Sequence, residues 1–232
     1  SCRPLMDIQQ LHNQAQSAQR NGNLAEAARL YREILTAAPV PEVMVNYGNV
    51  LARLGQHKEA LAQYDQALKQ RPDFFEALFN RGNLYLETNR AQKALADYER
   101  VVTVRADVPA VWNNRGTALR RLRRSDEALA SYDRAVALAP GHVNALTNRA
   151  VALFDLRLLD QALSASDTAL AVQPDFAEAL YIKGNILRDL GRSREARDCF
   201  ERILKLAPDH GHALNGLAQM TSWLCDWDGM AA

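Results

Sequence analysis

Cysteine is scarce: Cys2, Cys199 and Cys225 are the only three in 232 residues, and no two form a C-x-x-C pair. That excludes a disulfide framework, fits a reducing compartment, and leads to the expectation of a cytoplasmic protein. Charge of one sign is also lacking. Lys and Arg number 28 against 27 Asp and Glu, a net charge of +1. A general attraction to nucleic acid or to an anionic membrane is therefore not expected. No apolar run approaches the roughly 20 residues that span a bilayer. No signal peptide is visible behind Ser1-Cys2-Arg3-Pro4. Low-complexity tracts are absent, and so are G-x-G-x-x-G, P-loop, G-x-S-x-G and H-E-x-x-H signatures. His210-x-His212 beside Cys225, Asp226 and Asp228 comes nearest to a metal site. Nothing in that spacing fixes four tetrahedral ligands, so it reads as a polar boundary. Cys199, one place before an apolar core position, reads as a small helix residue and not a nucleophile. No catalytic residue, cofactor or metal is expected, and the segment is not expected to be an enzyme by itself.

What the chain has is a period. Pro140, Pro174 and Pro208 are spaced by 34 and 34, Pro72 lies 68 before Pro140, and Pro39 lies 33 before Pro72. A fixed period in this range marks a solenoid. With each proline as position 32, six units follow at 8–40, 41–74, 75–108, 109–142, 143–176 and 177–210. Residues 1–7 form a leader, and 211–232 a partial seventh unit and junction. Position 4 reads Leu11, Met44, Leu78, Trp112, Leu146, Leu180, Leu214. Position 8 reads Ala15, Gly48, Gly82, Gly116, Ala150, Gly184, Ala218, and position 11 Ala18, Leu51, Tyr85, Leu119, Leu153, Leu187. Spacing of i, i+4, i+7 is one face of a helix. A second helix repeats it at position 20 (Ala27, Ala60, Ala94, Ala128, Ala162, Ala196), position 24 (Tyr31, Tyr64, Tyr98, Tyr132, Ser166, Phe200) and position 27.

Glycine inside a helix costs about 0.5–1 kcal/mol against alanine, so the glycines at position 8 need a packing reason. Close approach of the two helices, with the large position 24 residue filling the space, supplies one. Proline at position 32 ends the second helix. Unit three has Ala106 there, a less sharply written boundary. The large–small–aromatic first helix, alanine–aromatic second helix and closing proline resemble the tetratricopeptide repeat. That resemblance implies an all-α, right-handed superhelical solenoid of helix-turn-helix repeats. Stacked neighbours would bury what one unit cannot bury alone.

The candidate site is a column. Position 6 reads Asn13, Asn46, Asn80, Asn114, Asn148, then Ile182 and Gly216; position 9 adds Gln16, Asn49, Asn83, Thr117 and Asn185. The resemblance implies that positions 2, 5, 6, 9, 12 and 13 face the binding groove. Asparagine is a poor helix former, so propensity does not select it. Its amide carries an acceptor and two donors, and a column of them can bond an extended peptide backbone at regular intervals. The alternative is that each amide bonds within its own repeat. Arg120, Arg121, Arg123 and Arg124 close the first helix of unit four. They complement its dipole or, with Arg120 foremost, meet an acidic partner. Arg81, Arg115, Arg149 and Lys183 at position 7 read as stems laid on the repeat with wet heads.

The asparagine column resembles the repeat arm of O-linked N-acetylglucosamine transferases and their bacterial relatives. Cys225-Asp226-Trp227 resembles the segment where those repeats give way to the catalytic region. The resemblance implies a cytoplasmic, nucleotide-sugar-dependent parent enzyme with a catalytic domain after Ala232, whose arm captures protein substrates or adaptors. Trp223, Leu224 and Trp227 are large and apolar, which leads to the expectation of a covering neighbour: that domain or a second copy of the chain. The rival is a free-standing adaptor, assembly factor or co-chaperone. Position 5 (His12, Val45, Phe79, Asn113, Thr147, Tyr181) lacks the lysines that the chaperone-tail clamp of this family implies. Reading of nucleic-acid bases would want a varied position 6 and a basic face, and neither is present.

Overall fold

The computed structural model describes the backbone of residues 8–228 and the side chains of residues 8–219. These residues form thirteen helices and no strand. The odd-numbered helices are α1 (Ile8–Arg20), α3 (Pro41–Arg53), α5 (Phe75–Glu87), α7 (Pro109–Arg121), α9 (Val143–Asp155), α11 (Ala177–Asp189) and α13 (Gly211–Asp228). The even-numbered helices are α2 (Leu24–Ala37), α4 (His57–Gln70), α6 (Ala91–Val104), α8 (Ser125–Leu138), α10 (Leu159–Val172) and α12 (Ser193–Leu206). Each odd helix is helix A of a repeat and each even one its helix B. The chain is thus an all-α solenoid of helix-turn-helix repeats. It divides into two compact blocks, one ending at Ala106 and one beginning at Asp107. The division falls where the repeat has alanine in place of proline.

Periodicity turns directly into burial. The six position 20 alanines are fully buried, as are Tyr31, Tyr64, Tyr98, Tyr132 and Phe200 at position 24. In repeat six, Leu180 and Leu187 of helix A close on Ala196, Phe200 and Ile203 of helix B. The position 8 glycines have the expected reason. A Cβ on Gly48 would sit 2.6 Å from Tyr64 Cε1, and one on Gly116 2.6 Å from Tyr132 Cε1. Repeat five takes the other solution, with Ala150 opposite the small, buried Ser166. Two position 4 residues depart from the pattern. Trp112 is only half-buried. Leu214 is 45% exposed, because position 4 faces a repeat's own helix B and α13 has none among the described residues.

The turn between helices A and B has a rule that the periodicity did not reveal. Position 15 is left-handed in all six repeats: Gly22, Gly55 and Gly191, with φ near +75°, and Asn89, Arg123 and Arg157, with φ of 57°, 62° and 61°. A left-handed residue after helix A satisfies its last carbonyls and turns the chain into helix B.

The position 7 cations also differ from expectation: they are anchored. Arg81 donates to both carboxylate oxygens of Asp97 in its own repeat and to Asp65 of the preceding repeat. Arg149 pairs with Asp133 at 2.5 Å and Lys183 with Asp167 at 2.7 Å. Position 7 therefore reaches position 25 of the repeat before. At the first junction the chemistry is exchanged, and Arg32 donates to the Tyr47 hydroxyl at 3.1 Å. Burial pulls the pKa of Arg81 down, but the bonds to Asp97 and Asp65 more than offset it and hold the guanidinium above its ordinary value.

Candidate functional site

In the first block the helix A face carries Asn13, Asn46 and Asn80. Asn13 is exposed on α1, and its Oδ1 accepts from Gln9 Nε2 at 3.4 Å. Asn46 and Asn80 are half-buried, at the same register of α3 and α5, with no side-chain hydrogen bond among the described residues. Both amides keep their acceptor and two donors for something else. Asn46 lies between two clefts. One, of about 460 Å³, is lined by Gln16, Gln19, Arg20, Tyr31 and Arg53. The other, of about 540 Å³, is lined by Val45, Phe74 and Phe75 with Glu42, Arg71, Asp73 and Glu76. Around the second cleft Phe75 stacks on Phe79 with centroids 5.8 Å apart. Glu42 pairs with Arg71 at 2.9 Å.

Position 9 has an internal task. The Tyr64 hydroxyl donates to Asn49 Oδ1 and the Tyr98 hydroxyl to Asn83 Oδ1, each at 2.7 Å. Tyr132 donates to Thr117 Oγ1 at 3.3 Å. A buried tyrosine needs a partner for its hydroxyl, and position 9 supplies it one turn along the groove face. Burial pushes the Tyr64 and Tyr132 hydroxyls above their ordinary pKa. Repeat one departs: its position 9 residue, Gln16, lies 3.3 Å from a ring nitrogen of His12, and Tyr31 donates instead to Gln19 Oε1 at 2.8 Å. Asn185 is buried, in a repeat whose position 24 ring, Phe200, has no hydroxyl to offer.

In the second block the column is wired through a residue outside it. Asn148 Nδ2 donates to Asn113 Oδ1 at 2.9 Å, and Asn113 Nδ2 to Asn114 Oδ1 at 3.0 Å. Asn113 stands at position 5 and is 9% exposed. The column ends where Ile182 turns into the apolar cluster of Ala150, Leu153 and Ile186. Arg120 faces Asp155 of the next repeat at 3.7 Å, and Arg124 binds Glu127 through two nitrogens.

Burial raises the pKa of the Cys199 thiol and so lowers its thiolate fraction. His210 Nδ1 accepts from the Ala213 amide at the start of α13. Cys225, Asp226, Asp228, Trp223, Leu224 and Trp227 lie outside the residues whose side chains are described. No cluster of three metal-ligating side chains occurs among the described residues. No helix among them is long and apolar enough to cross a membrane.

Comparison with known families and structures agrees with the architecture. Tetratricopeptide-repeat family models match residues 9–33, 48–89, 79–143, 113–167, 147–193 and 177–210. The comparison with curated proteins gave no match. Among solved structures the chain is similar to YrrB, described as a TPR protein with an unusual peptide-binding site. The identity is 24% and the TM-score 0.67, over 82% of this chain and 98% of that one. It is similar to PilF of Pseudomonas aeruginosa at 16% identity and a TM-score of 0.78, over 91% and 97%. A third is MamA of Desulfovibrio magneticus, at 22% identity and a TM-score of 0.70, over 75% and 99%. At these identities the likeness is one of fold. With its period, buried alanine and tyrosine registers and family matches covering most of its length, the chain belongs to the tetratricopeptide-repeat family.

Proposed function

We propose that the helix A face captures extended segments of partner proteins through its asparagine amides. One observation carries this reading: Asn46 and Asn80 stand at the same register on successive A helices, half-buried, without side-chain partners among the described residues. Two unused amides in line present donors and acceptors to a peptide backbone, whatever its side chains. Asn13, Asn114 and Asn148 extend the same register, and the free N–H groups of Asn49 lie one turn away. Asn83 belongs to the proposed helix A face of the first block, and Asn185 and Arg120 to that of the second. The similarity to YrrB, a TPR protein with an unusual peptide-binding site, supports peptide capture as the use of such a face.

The finer reading is that this face is the substrate or adaptor arm of an O-linked N-acetylglucosamine transferase-like, cytoplasmic parent chain. It rests on the asparagine register and on Cys225-Asp226-Trp227. A sugar-transfer assay on the natural polypeptide, with labelled nucleotide sugars, tests it: transfer supports the arm, and its absence favours an adaptor without a linked enzyme. The capture itself is tested by replacing Asn46, Asn80, Asn114 and Asn148 with alanine. Each lost amide bond removes about 0.5–1.5 kcal/mol of binding. Peptide affinity should fall about 30-fold or more while the helical circular dichroism signal is retained. Unchanged affinity contradicts the reading.

A further inference from the structure

The two clefts beside Asn46 differ in charge, and that difference names a ligand. The first sits between α1 and α3. Its lining holds the guanidinium groups of Arg20 and Arg53, the side-chain amides of Gln16 and Gln19, and no carboxylate. Arg53 is steadied there by Nη1 donating to the Gln19 carbonyl at 3.4 Å, across the last turn of α1. The positive field reaches the cleft wall. Burial raises the pKa of the Tyr31 hydroxyl, while the charge of Arg20 pulls it back down. The cleft coincides with the one repeat in which the tyrosine hydroxyl leaves position 9 for position 12. That shift frees Gln16 from the internal bond that holds Asn49 and Asn83. The second cleft lies between α3 and α5. Its floor is apolar (Val45, Phe74, Phe75), and its rim carries Glu42, Asp73 and Glu76. Glu42 is paired with Arg71 and Asp73 with Arg100, and the Arg105 guanidinium lies 4.8 Å over the Phe75 ring, which leaves Glu76 as the rim carboxylate without an ion pair among the described residues.

We infer that this face selects an extended peptide carrying an acidic side chain and, about four or five residues away, a lysine or arginine. The acid enters the α1–α3 cleft, where a carboxylate meets two guanidinium groups able to bind it in bidentate fashion. The basic residue lays its aliphatic stem on Val45 and brings its head to Glu76, the rim carboxylate without an ion pair among the described residues. Asn46 lies between the clefts and bonds the intervening backbone. The spacing follows from helix geometry. Arg20 and Arg53 stand eleven residues along helix A from the register of Glu42 and Glu76, and the cleft centres are some eight residues apart, ~12 Å at 1.5 Å per residue. With ~10 Å between helix axes, the clefts are roughly 15 Å apart, which an extended chain at ~3.3 Å per residue covers in four or five residues. This inference rests on the peptide-capture reading and adds sequence preference to a face whose amides supply none.

The test is selection from a display library of random dodecapeptides held between Gly-Ser flanks, so that any selected charge is a side chain. The baits are the wild-type chain, Arg20→Glu/Arg53→Glu, Glu76→Lys, Glu42→Lys/Glu76→Lys and Asn46→Ala/Asn80→Ala, each checked for helicity. Wild type should enrich Asp or Glu with Lys or Arg four or five residues away. The arginine pair variant should lose the acidic preference and weaken binding of the wild-type consensus peptide at least tenfold. Glu76→Lys should do the same to the basic preference, even if the double variant, which also breaks the Glu42–Arg71 pair, folds poorly. The asparagine variant should bind more weakly with its charge preference intact. Enriched peptides without the charge pair, or a preference untouched by the charge swaps, overturn the inference and leave peptide capture standing. No enrichment by well-folded wild type overturns both.

Discussion

Gly48→Ala sets two physical effects against each other, and the structure says which wins. On helix propensity alone the change should stabilise the chain by about 1 kcal/mol. The new Cβ, however, would stand 2.6 Å from Tyr64 Cε1 and 3.0 Å from Cζ, too close for a carbon contact. Tyr64 is 1% exposed and its hydroxyl is bonded to Asn49, so the ring has little freedom to yield. Overpacking of this kind costs about 1–3 kcal/mol, and displacing the ring endangers a hydrogen bond worth about 1 kcal/mol. The net expectation is destabilisation of about 1–2 kcal/mol. Repeat one shows how relief is obtained: Ala15 stands at position 8, and the Tyr31 hydroxyl goes to Gln19. Repeat five shows the other route, alanine opposite serine. Tyr64→Ser alone should therefore cost about 3–5 kcal/mol through the cavity it leaves, whereas adding Gly48→Ala to it should recover about 1 kcal/mol. Urea unfolding of the three variants, compared by midpoint at constant slope, measures both numbers and their coupling. A stabilised Gly48→Ala single variant, or a double variant in which the two costs simply add, refutes the packing account.

Other consequences are as direct. Arg123→Gly removes a left-handed non-glycine residue and should stabilise the chain by about 1 kcal/mol, read as a thermal midpoint shift of about 2–4 °C; a lower midpoint contradicts the turn account. Asp97→Ala strands Arg81, whose side chain is 16% exposed. It should cost about 3 kcal/mol, the low end for breaking a buried pair because Asp65 still binds the guanidinium; a loss below about 0.5 kcal/mol in urea, the scale of a surface pair, sinks it. Tyrosine ionisation should govern alkaline stability. Burial raises the Tyr64 hydroxyl pKa above 10, so the folded state keeps a proton that the unfolded state has lost. This contribution is whole below about pH 10 and falls as pH climbs above it. Tyr64→Phe should flatten the decline in midpoint between about pH 10 and 11.5, and an unchanged slope tells against it.

The fold was legible because its signals are periodic and redundant. Prolines end the B helices, position 20 admits only alanine, and the Gly48–Tyr64 type of pair repeats down the chain. Local chemistry inside the register was harder to read. The column at position 25 (Asp65, Glu99, Asp133, Asp167, Glu201) complements the cations of position 7. The two positions meet only across a repeat boundary, which the register of a single repeat does not display. Position 9 looked like groove chemistry, yet Asn49 and Asn83 each accept a tyrosine hydroxyl, a bond visible only once helix A lies on helix B. Asn113 sits off the asparagine register and still links Asn114 to Asn148. Arg123 and Arg157 carry left-handed backbone in a turn where glycine or asparagine is the ordinary signal.

The central claim is that Asn46 and Asn80 serve a ligand and not the fold. The most direct measurement is a paired one on Asn46→Ala/Asn80→Ala: the urea midpoint of the chain, and its affinity for a peptide selected on wild type. Both amides lack an internal partner among the described residues, so the midpoint should stay within about 0.5 kcal/mol of wild type while affinity falls at least about fivefold. A lowered midpoint with unchanged affinity would show that these asparagines hold the repeats together, and the peptide-capture account would fall with them.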